Sequence, residues 1–469
     1  MNTICKFADS DIYLLYYLDI WSITELSLIT KDQNKLINSL DFVKEFLLLV
    51  QKKSCVCEEN IIGYAIKYNY VSLVRWYFES VNEIEYKDYE IGKAATNGNI
   101  DILKILNDVD DGLIYTENMI DCASAEGHIH ILEWLSRTDN EFKYSEKAID
   151  WAAQAGHIKI LDWFANSKYE FKYSVCAIGG PSENGYINVL DWFVHSKYKF
   201  KHNHCAVNCA SKNGHISVLD WFAKSKYKFK YTEYAINLAA QNGHISVLEW
   251  FANSKYKFKC DEKAIKWAAE GGHVNIIEWL VNSKYEIIYG NDIIDTVSKN
   301  GHIDVLKCFD RLHLDFDYTI EAIDKAAKNG YVNILDWFDK SKYKFKYSED
   351  AIDNASQNGH VNILDWFDKS EYKFKYSENA IDYAARNGHV NILNWFDNSN
   401  YEFKYSDGAI DDAIIHGQID VLKWFDKSKY KIKYTDKVMR RAYKFTEINK
   451  YLDASNSRIL KIINQYKSK

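Results

Sequence analysis

Histidine is the residue type whose spacing along this chain first suggests chemistry. Eight histidines follow a glycine at equivalent points of a regular pattern: His128, His157, His215, His244, His273, His302, His360 and His389. A zinc site needs its nitrogen or sulfur ligands within about 2.0–2.3 Å of one ion. Packed helices lie about 8–10 Å apart, so imidazoles on successive layers cannot converge. Tyr186, Tyr331 and Gln418 occupy the equivalent position at other points of the same pattern. We therefore predict that this column of residues makes a structural contact at a turn.

A second group of metal-ligating residue types comprises His202, His204, Cys205 and Cys209. The two cysteines share a helix face at i, i+4 spacing. Their positions align with ordinary helical residues elsewhere in the pattern, which favours free, buried thiols over zinc. The chain has no Ser/His/Asp arrangement, phosphate-binding glycine loop or pair of carboxylates typical of a catalytic pocket. The sequence therefore predicts no catalytic residue, no metal and no cofactor, and a protein that is not an enzyme.

The elements that carry these residues belong to an internal repeat of 29 residues. Its glycines are Gly98, Gly127, Gly156, Gly185, Gly214, Gly243, Gly272, Gly301, Gly330, Gly359, Gly388 and Gly417. Asn69 lies one step earlier, so about 13 repeats span 58–434. A single repeat cannot bury its own apolar residues, whereas a stack of repeats can.

Each repeat predicts two helices and an extended link. In 145–173, Ser145 is a candidate N-cap, and Ala148 and Ile149 begin an apolar face. The glycine ends this first helix, and a second, largely apolar helix follows. The link, such as "KYKFKY" at 342–347, alternates aromatic and basic residues. We therefore predict an all-α solenoid, with a broken or shortened helix where Pro181, the only proline, falls in a first helix.

Composition narrows the function further. The chain has 59 Lys and Arg against 66 Asp and Glu, so it has no global attraction to nucleic acid. No apolar run reaches about 18 residues, which predicts no membrane span. Nine scattered cysteines favour a reducing compartment, and we expect a monomer in the cytoplasm.

One column varies while its neighbours stay fixed: the residue two after the isoleucine of each first helix. A helical wheel places it about 130° from the buried face, so it is predicted to be exposed. Its large or charged members are candidate partner-binding residues: Tyr64, Lys93, Trp151, Trp267, Lys325 and Tyr383. Neutral drift at a solvent position is the alternative.

Two further columns have competing interpretations. A tryptophan in most second helices could stack on bases, but its position on an apolar helix favours packing between repeats. The link lysines could follow phosphates, which makes nucleic-acid binding the alternative function. Acidic residues interrupt them, including Glu170 and Glu402, so a solvated edge is favoured.

The segment "AIDYAARNGHVNILNWF" at 380–396 resembles the ankyrin repeat. The small-residue pair of the first helix, the Gly-His turn and the apolar second helix match in order. The repeat is shorter than the family's usual 33 residues, and the Thr-Pro-Leu-His opening is absent. The resemblance implies a protein–protein interaction scaffold. The Lys-, Asn-, Ile- and Tyr-rich composition is similar to that of ankyrin arrays of giant DNA viruses of amoebae or of AT-rich protists, and a viral source implies the host cytoplasm.

The segment 11–47 resembles an F-box, the module that docks on the Skp-type adaptor of cullin ubiquitin ligases. The resemblance gives candidate docking residues at Ile12, Leu15, Leu18, Leu36 and Ile37. It implies a substrate adaptor whose array presents a target protein. An apolar helical cap is the alternative for 1–57. Residues 435–469 are predicted to form capping helices after the array at 58–434.

Overall fold

The computed structural model describes residues 66, 69, 71, 74–75, 88–109, 116–138, 141–285, 292–314, 316–438 and 457–465. Every regular element in these ranges is an α-helix, so the predicted all-α solenoid of repeats is confirmed. The chain divides into two compact units, Met1–Ala235 and Ile236–Lys469, and each is described by itself. None of the described helices is long and apolar enough to cross a membrane.

In the first compact unit, successive first helices pack side by side, and each also packs against the second helix of its own repeat. The first helices are α1 (Asp88–Thr96), α3 (Glu117–Ala125), α5 (Lys147–Gln154), α7 (Cys176–Asn184) and α9 (His204–Lys212). The second helices are α2 (Ile100–Val109), α4 (Ile129–Leu135), α6 (Ile158–Asn166), α8 (Ile187–His195) and α10 (Ile216–Lys224). Helix α11 (Tyr234–Gln241) contains the boundary between the two compact units.

The second compact unit repeats this arrangement. Its further first helices are α13 (Lys263–Glu270), α15 (Ile293–Asn300), α17 (Glu321–Lys328), α19 (Asp350–Gln357), α21 (Asn379–Arg386) and α23 (Gly408–Ile415). Its second helices are α12 (Ile245–Asn253), α14 (Val274–Val281), α16 (Ile303–Arg311), α18 (Val332–Lys340), α20 (Val361–Lys369), α22 (Val390–Asn398) and α24 (Ile419–Lys427). A last helix, α25 (Arg458–Gln465), follows.

The predicted caps explain where the first helices begin. The Ser145 hydroxyl accepts a hydrogen bond from the Lys147 backbone N–H at 3.2 Å. Such a bond satisfies one of the amides that the first helical turn leaves without a partner. The same bond is made by Ser174, Asn203, Asp261, Thr319, Ser348, Ser377 and Ser406. At the other end of α5, Gly156 has a φ of +80°, which a residue with a side chain rarely adopts.

The core of each layer comes from both helices. Ala148 and Ile149 on α5 and Leu161 and Phe164 on α6 are fully buried. Small residues on the first helix let neighbouring first helices approach closely. In the link, Phe171 is buried and Lys172 is exposed, as the period-two alternation predicts. The described link residues contain no strand.

The prediction of a broken or shortened helix at Pro181 is wrong, because α7 runs through it from Cys176 to Asn184 and is as long as α9. A proline inside a helix costs roughly 3 kcal/mol. Here α7 packs between α5 and α9, and it approaches α5 closely. A Cβ added to Gly180 would lie only 2.6 Å from Cβ of Gln154. Packing on both sides thus maintains the helix despite the missing hydrogen bond.

Helix α25 contacts α24, and its first residue hydrogen-bonds to residues at the C-terminal end of that helix. The Arg458 backbone N–H donates to Asp426 Oδ1 at 2.6 Å, and its guanidinium donates to the carbonyl oxygens of Ser428 (2.9 Å) and Tyr430 (3.1 Å). A cation on the carbonyl end of a helix complements the helix dipole.

Candidate partner-binding surface

In seven of the described first helices, an aspartate near the middle of the helix joins that repeat to the next one. Asp150 Oδ1 accepts from the Ser174 backbone N–H at 2.9 Å, and Oδ2 accepts from the Ser174 hydroxyl. We call this pair of bonds the aspartate clamp. It recurs at Asp121–Ser145, Asp295–Thr319, Asp324–Ser348, Asp353–Ser377, Asp382–Ser406 and Asp411–Thr435. Asn208 makes an amide version with Thr232.

Burial raises the pKa of most of these carboxyls above the ordinary value of 3.8, although the hydrogen bonds that they accept act in the opposite direction. The affected groups are Asp121, Asp150, Asp324, Asp353, Asp382 and Asp411. The sequence interpretation missed the clamp. Its signal is an aspartate in the first helix followed 24 residues later by serine or threonine.

The histidine column makes the predicted structural contact. The imidazole of His128 lies against Gly98 of the preceding repeat, where an added Cβ would approach it to 2.7 Å. Its Nε2 is 2.9 Å from the Thr96 carbonyl oxygen, which assigns the proton to Nε2. His273 and His302 contact carbonyl oxygens in the same way. Lacking a side chain, the glycine provides space for the ring of the next layer.

Tryptophan lies at the edge of the core, which corrects the expectation that it is buried between repeats. Trp192 is half-buried, whereas Phe193 beside it is buried. The indole N–H of Trp192 donates to Asp162 Oδ1 of the preceding repeat at 2.7 Å. The same bond joins Trp221 to Asp191, Trp366 to Asp336 and Trp395 to Asp365, and Trp424 makes it with Asn394. A partly buried indole N–H needs a polar partner. Because that partner lies in the preceding repeat, the tryptophan still connects two repeats.

The links add aromatic stacking and cation–π contacts to these junctions. The Phe171 ring stacks on Tyr198 of the next repeat, with ring centroids 3.9 Å apart, and on Trp192 at 5.6 Å. Lys201 Nζ lies 2.6 Å from the Tyr173 carbonyl oxygen and 3.9 Å from the Tyr173 ring centroid. Lys375 and Lys433 do the same at later junctions. Part of the predicted row of lysines therefore makes contacts within the array.

The candidate column on the first helices is half-buried, although it was predicted to be exposed. Lys93, Trp151, Trp267, Lys325 and Tyr383 are all half-buried. Neighbouring first helices pack side by side and cover the flanks of this position. Within its own helix, Trp151 lies beside the Lys147 ammonium, which is 5.4 Å from the centroid of its ring.

The remaining predicted site residues fall into two groups. Cys205 and Cys209 are free thiols but are not buried as expected, since Cys205 is exposed and Cys209 is half-buried. His202 Nε2 lies 3.0 Å from the Lys228 carbonyl oxygen. The described residues contain no group of three His, Cys, Asp or Glu side chains that could hold a metal ion. Tyr64 and the F-box-like residues lie outside the described residues: Ile12, Leu15, Leu18, Leu36 and Ile37.

Comparison with known proteins agrees with the helix pairs and their turns. Residues 181–291 match the family model for ankyrin repeats, in three copies. Three ankyrin repeats are therefore recognised within 181–291. No curated protein sequence matches it. Among solved structures, the chain is similar to the pentatricopeptide repeat protein PPR10 in complex with an 18-nt psaJ RNA element. That match has 9% identity and a TM-score of 0.29, and it covers 93% of this chain and 80% of that one.

Proposed function

We propose that the chain is a protein–protein interaction scaffold whose ankyrin repeats present the variable column of the first helices to a partner. The supporting observation is how the side chains are used. The aspartates of the clamp, the histidines and most described tryptophans contact the neighbouring repeat. The variable column keeps part of its surface in solvent while its residue type changes from repeat to repeat.

Trp151 and Trp267 are the strongest candidate anchors in this column. Each indole is half-buried with a lysine ammonium nearby: Lys147 at 5.4 Å and Lys263 at 5.9 Å from the ring centroids. A large aromatic ring with restricted freedom can bury much area on a partner at a low entropic cost, and such residues dominate interface energetics. The adjacent ammonium favours a partner surface with acidic groups at its rim.

Affinity capture from the source cells with the full chain, followed by mass spectrometry, tests the scaffold function. We expect Trp151→Ala combined with Trp267→Ala to reduce capture of the partner about tenfold or more. Asn354→Ala in the same column is the matched control and should leave capture unchanged. A large loss of thermal stability in the tryptophan variant, or undiminished capture by it, would contradict the proposal. Salt-sensitive retention on RNA or DNA would support the nucleic-acid alternative instead.

We further propose that 1–57 recruits a Skp-type adaptor, so that the array at 58–434 presents a target to a ubiquitin ligase and 435–469 caps the array. The resemblance of 11–47 to an F-box supports this role. A pull-down should recover the adaptor with the full chain and lose it when residues 1–47 are deleted. Replacing Leu15 and Leu18 with Asp should have the same effect. Persistent recovery after deletion would refute the adaptor role while leaving the scaffold function intact.

The composition supports a viral source and hence action in the host cytoplasm. Imaging of a tagged copy in host cells would check this location.

A further inference from the structure

Tryptophans of the second helices differ in whether the indole N–H has a partner. At five junctions the acceptor is Asp or Asn on the preceding second helix, at 2.7 Å. At Trp337 that position is Lys307, and the indole instead donates to Asp310 Oδ2, one helical turn further on, at 2.9 Å. The array thus supplies an oxygen acceptor by either of two routes.

Trp163 and Trp279 have neither route. The preceding position is Glu133 for one and Glu249 for the other, and the alternative position holds Ser136 or Ala252. Among the described residues, neither of these two indoles has a hydrogen-bond partner. Glutamate is one methylene longer than aspartate, and at neither position does its carboxylate accept a hydrogen bond from the indole.

An open groove lies beside each of these two indoles. The Trp163 groove has a volume of about 670 Å³, and its lining includes Ser136, Lys159, Lys168 and Tyr169. The Trp279 groove has a volume of about 450 Å³, and its lining includes Ala252, Lys284, Tyr285 and Glu278, whose carboxylate is paired with Arg311. Neither Glu133 nor Glu249 lines its groove. At both positions, therefore, glutamate replaces the usual acceptor and a groove lies beside the tryptophan.

Charge and shape indicate what these grooves bind. Lys159 and Lys168 are exposed at the Trp163 groove, and the Lys168 ammonium lies 5.5 Å from the Tyr169 ring centroid. Asp162, the carboxylate of this groove, already accepts a hydrogen bond from Trp192. Trp163 and Tyr169 stack at 6.0 Å and form an apolar floor. The groove combines an unpaired N–H donor, two cations and an aromatic surface.

We propose that the Trp163 and Trp279 grooves each bind an acidic side chain of an extended peptide segment in a partner protein. The partner carboxylate takes the position that Asp162 takes at Trp192, and its neighbouring residues lie on the Trp–Tyr stack. A charged acceptor strengthens the hydrogen bond to the indole, and the lysines complement its charge. This inference rests on the proposed scaffold function and assigns it a second surface and a class of partner sequence.

An array of dodecapeptides tests the proposal, with each peptide present in an acidic form and in an amide form that replaces Asp by Asn and Glu by Gln. We expect the tagged full chain to retain a subset of the acidic forms about tenfold more strongly than their amide forms. The double variant E133D/E249D should lose this preference, because the shorter carboxylate reaches the indole from within the array. The double variant W163F/W279F should also lose it, because it keeps the ring and removes the donor.

Asp336→Glu is the reciprocal variant: it should free the Trp366 indole and increase acidic-peptide retention. Equal retention of both forms, retention of no peptide, or an unchanged preference in E133D/E249D would overturn the proposal. Binding of single-stranded oligonucleotides in place of acidic peptides through the same tryptophans would also overturn it. The W151A/W267A variant should keep the peptide preference. A failure of peptide binding at the grooves can therefore be distinguished from a failure of the proposed scaffold function.

Discussion

The junction between Asp162 and Trp192 and the junction between Glu133 and Trp163 differ at their contact by one methylene. In the first, the indole N–H bonds to the preceding carboxylate at 2.7 Å. In the second, the indole has no hydrogen-bond partner within the described residues, and a groove opens beside it. Inside a repeat array, the departures from the repeated pattern thus show where a group is released for other contacts.

Both junctions keep the same core and the same clamp. Phe164 and Phe193 are buried, and the clamps are Asp121–Ser145 at one junction and Asp150–Ser174 at the other. Nonpolar burial is the dominant favourable term in folding, whereas a partly exposed hydrogen bond contributes little. The array can therefore give up an edge contact without losing the layer.

The strongest test of this comparison removes the core that the two junctions share. Phe164→Ala and Phe193→Ala should each lower the free energy of unfolding by about 3–5 kcal/mol, because each leaves a cavity in a buried layer. Chemical denaturation followed by circular dichroism measures both. A markedly smaller loss for Phe164→Ala would mean that the open junction is loosely packed throughout, and the comparison would fail.

A smaller effect is expected at the edge, where the junctions differ. Trp192→Phe removes the bond to Asp162 and should cost about 0.5–1.5 kcal/mol more than Trp163→Phe, which removes no internal bond. Both changes remove the same atoms, so their difference isolates the hydrogen bond. The denaturation midpoints of the two variants give the answer, and equal midpoints would show that the Trp192 bond is energetically silent.

Much of the framework could be predicted from the residues alone. Ser145 as a cap, Gly156 as a turn and the contact role of His128 follow from local rules of helix ends and layer spacing. The clamp escaped prediction because Asp150 and Ser174 lie in different repeats, and no local rule pairs them. The prediction at Pro181 was wrong because the cost of a proline in a helix can be read locally, whereas the packing that offsets this cost comes from neighbouring helices. Trp163 and Trp192 occupy equivalent positions in the repeat, so the sequence did not distinguish them. Only the folded structure shows that Glu133 is next to Trp163 and that Asp162 is next to Trp192.

The smallest expected effect concerns pH, and it should be alike at the two junctions. Burial is the main cause that raises the pKa of both Asp121 and Asp150 above 3.8, and nearby Glu117 or Glu146 adds to it. A raised pKa means that the folded state holds the proton more tightly than the unfolded chain does. The resulting stability is fully present below the unfolded pKa and is lost as pH rises through the folded pKa.

Asn at either position is permanently neutral, as in the natural Asn208–Thr232 pair. The free energy of unfolding of Asp121→Asn and Asp150→Asn should therefore improve relative to the parent as pH rises from about 4 to about 8. Asn208→Asp should acquire the opposite trend, since it introduces a buried carboxyl at the same place. Urea denaturation at several pH values measures all three. If the free energy of unfolding depended on pH in this way at only one junction, the groove beside Trp163 would have to admit water as far as the clamp.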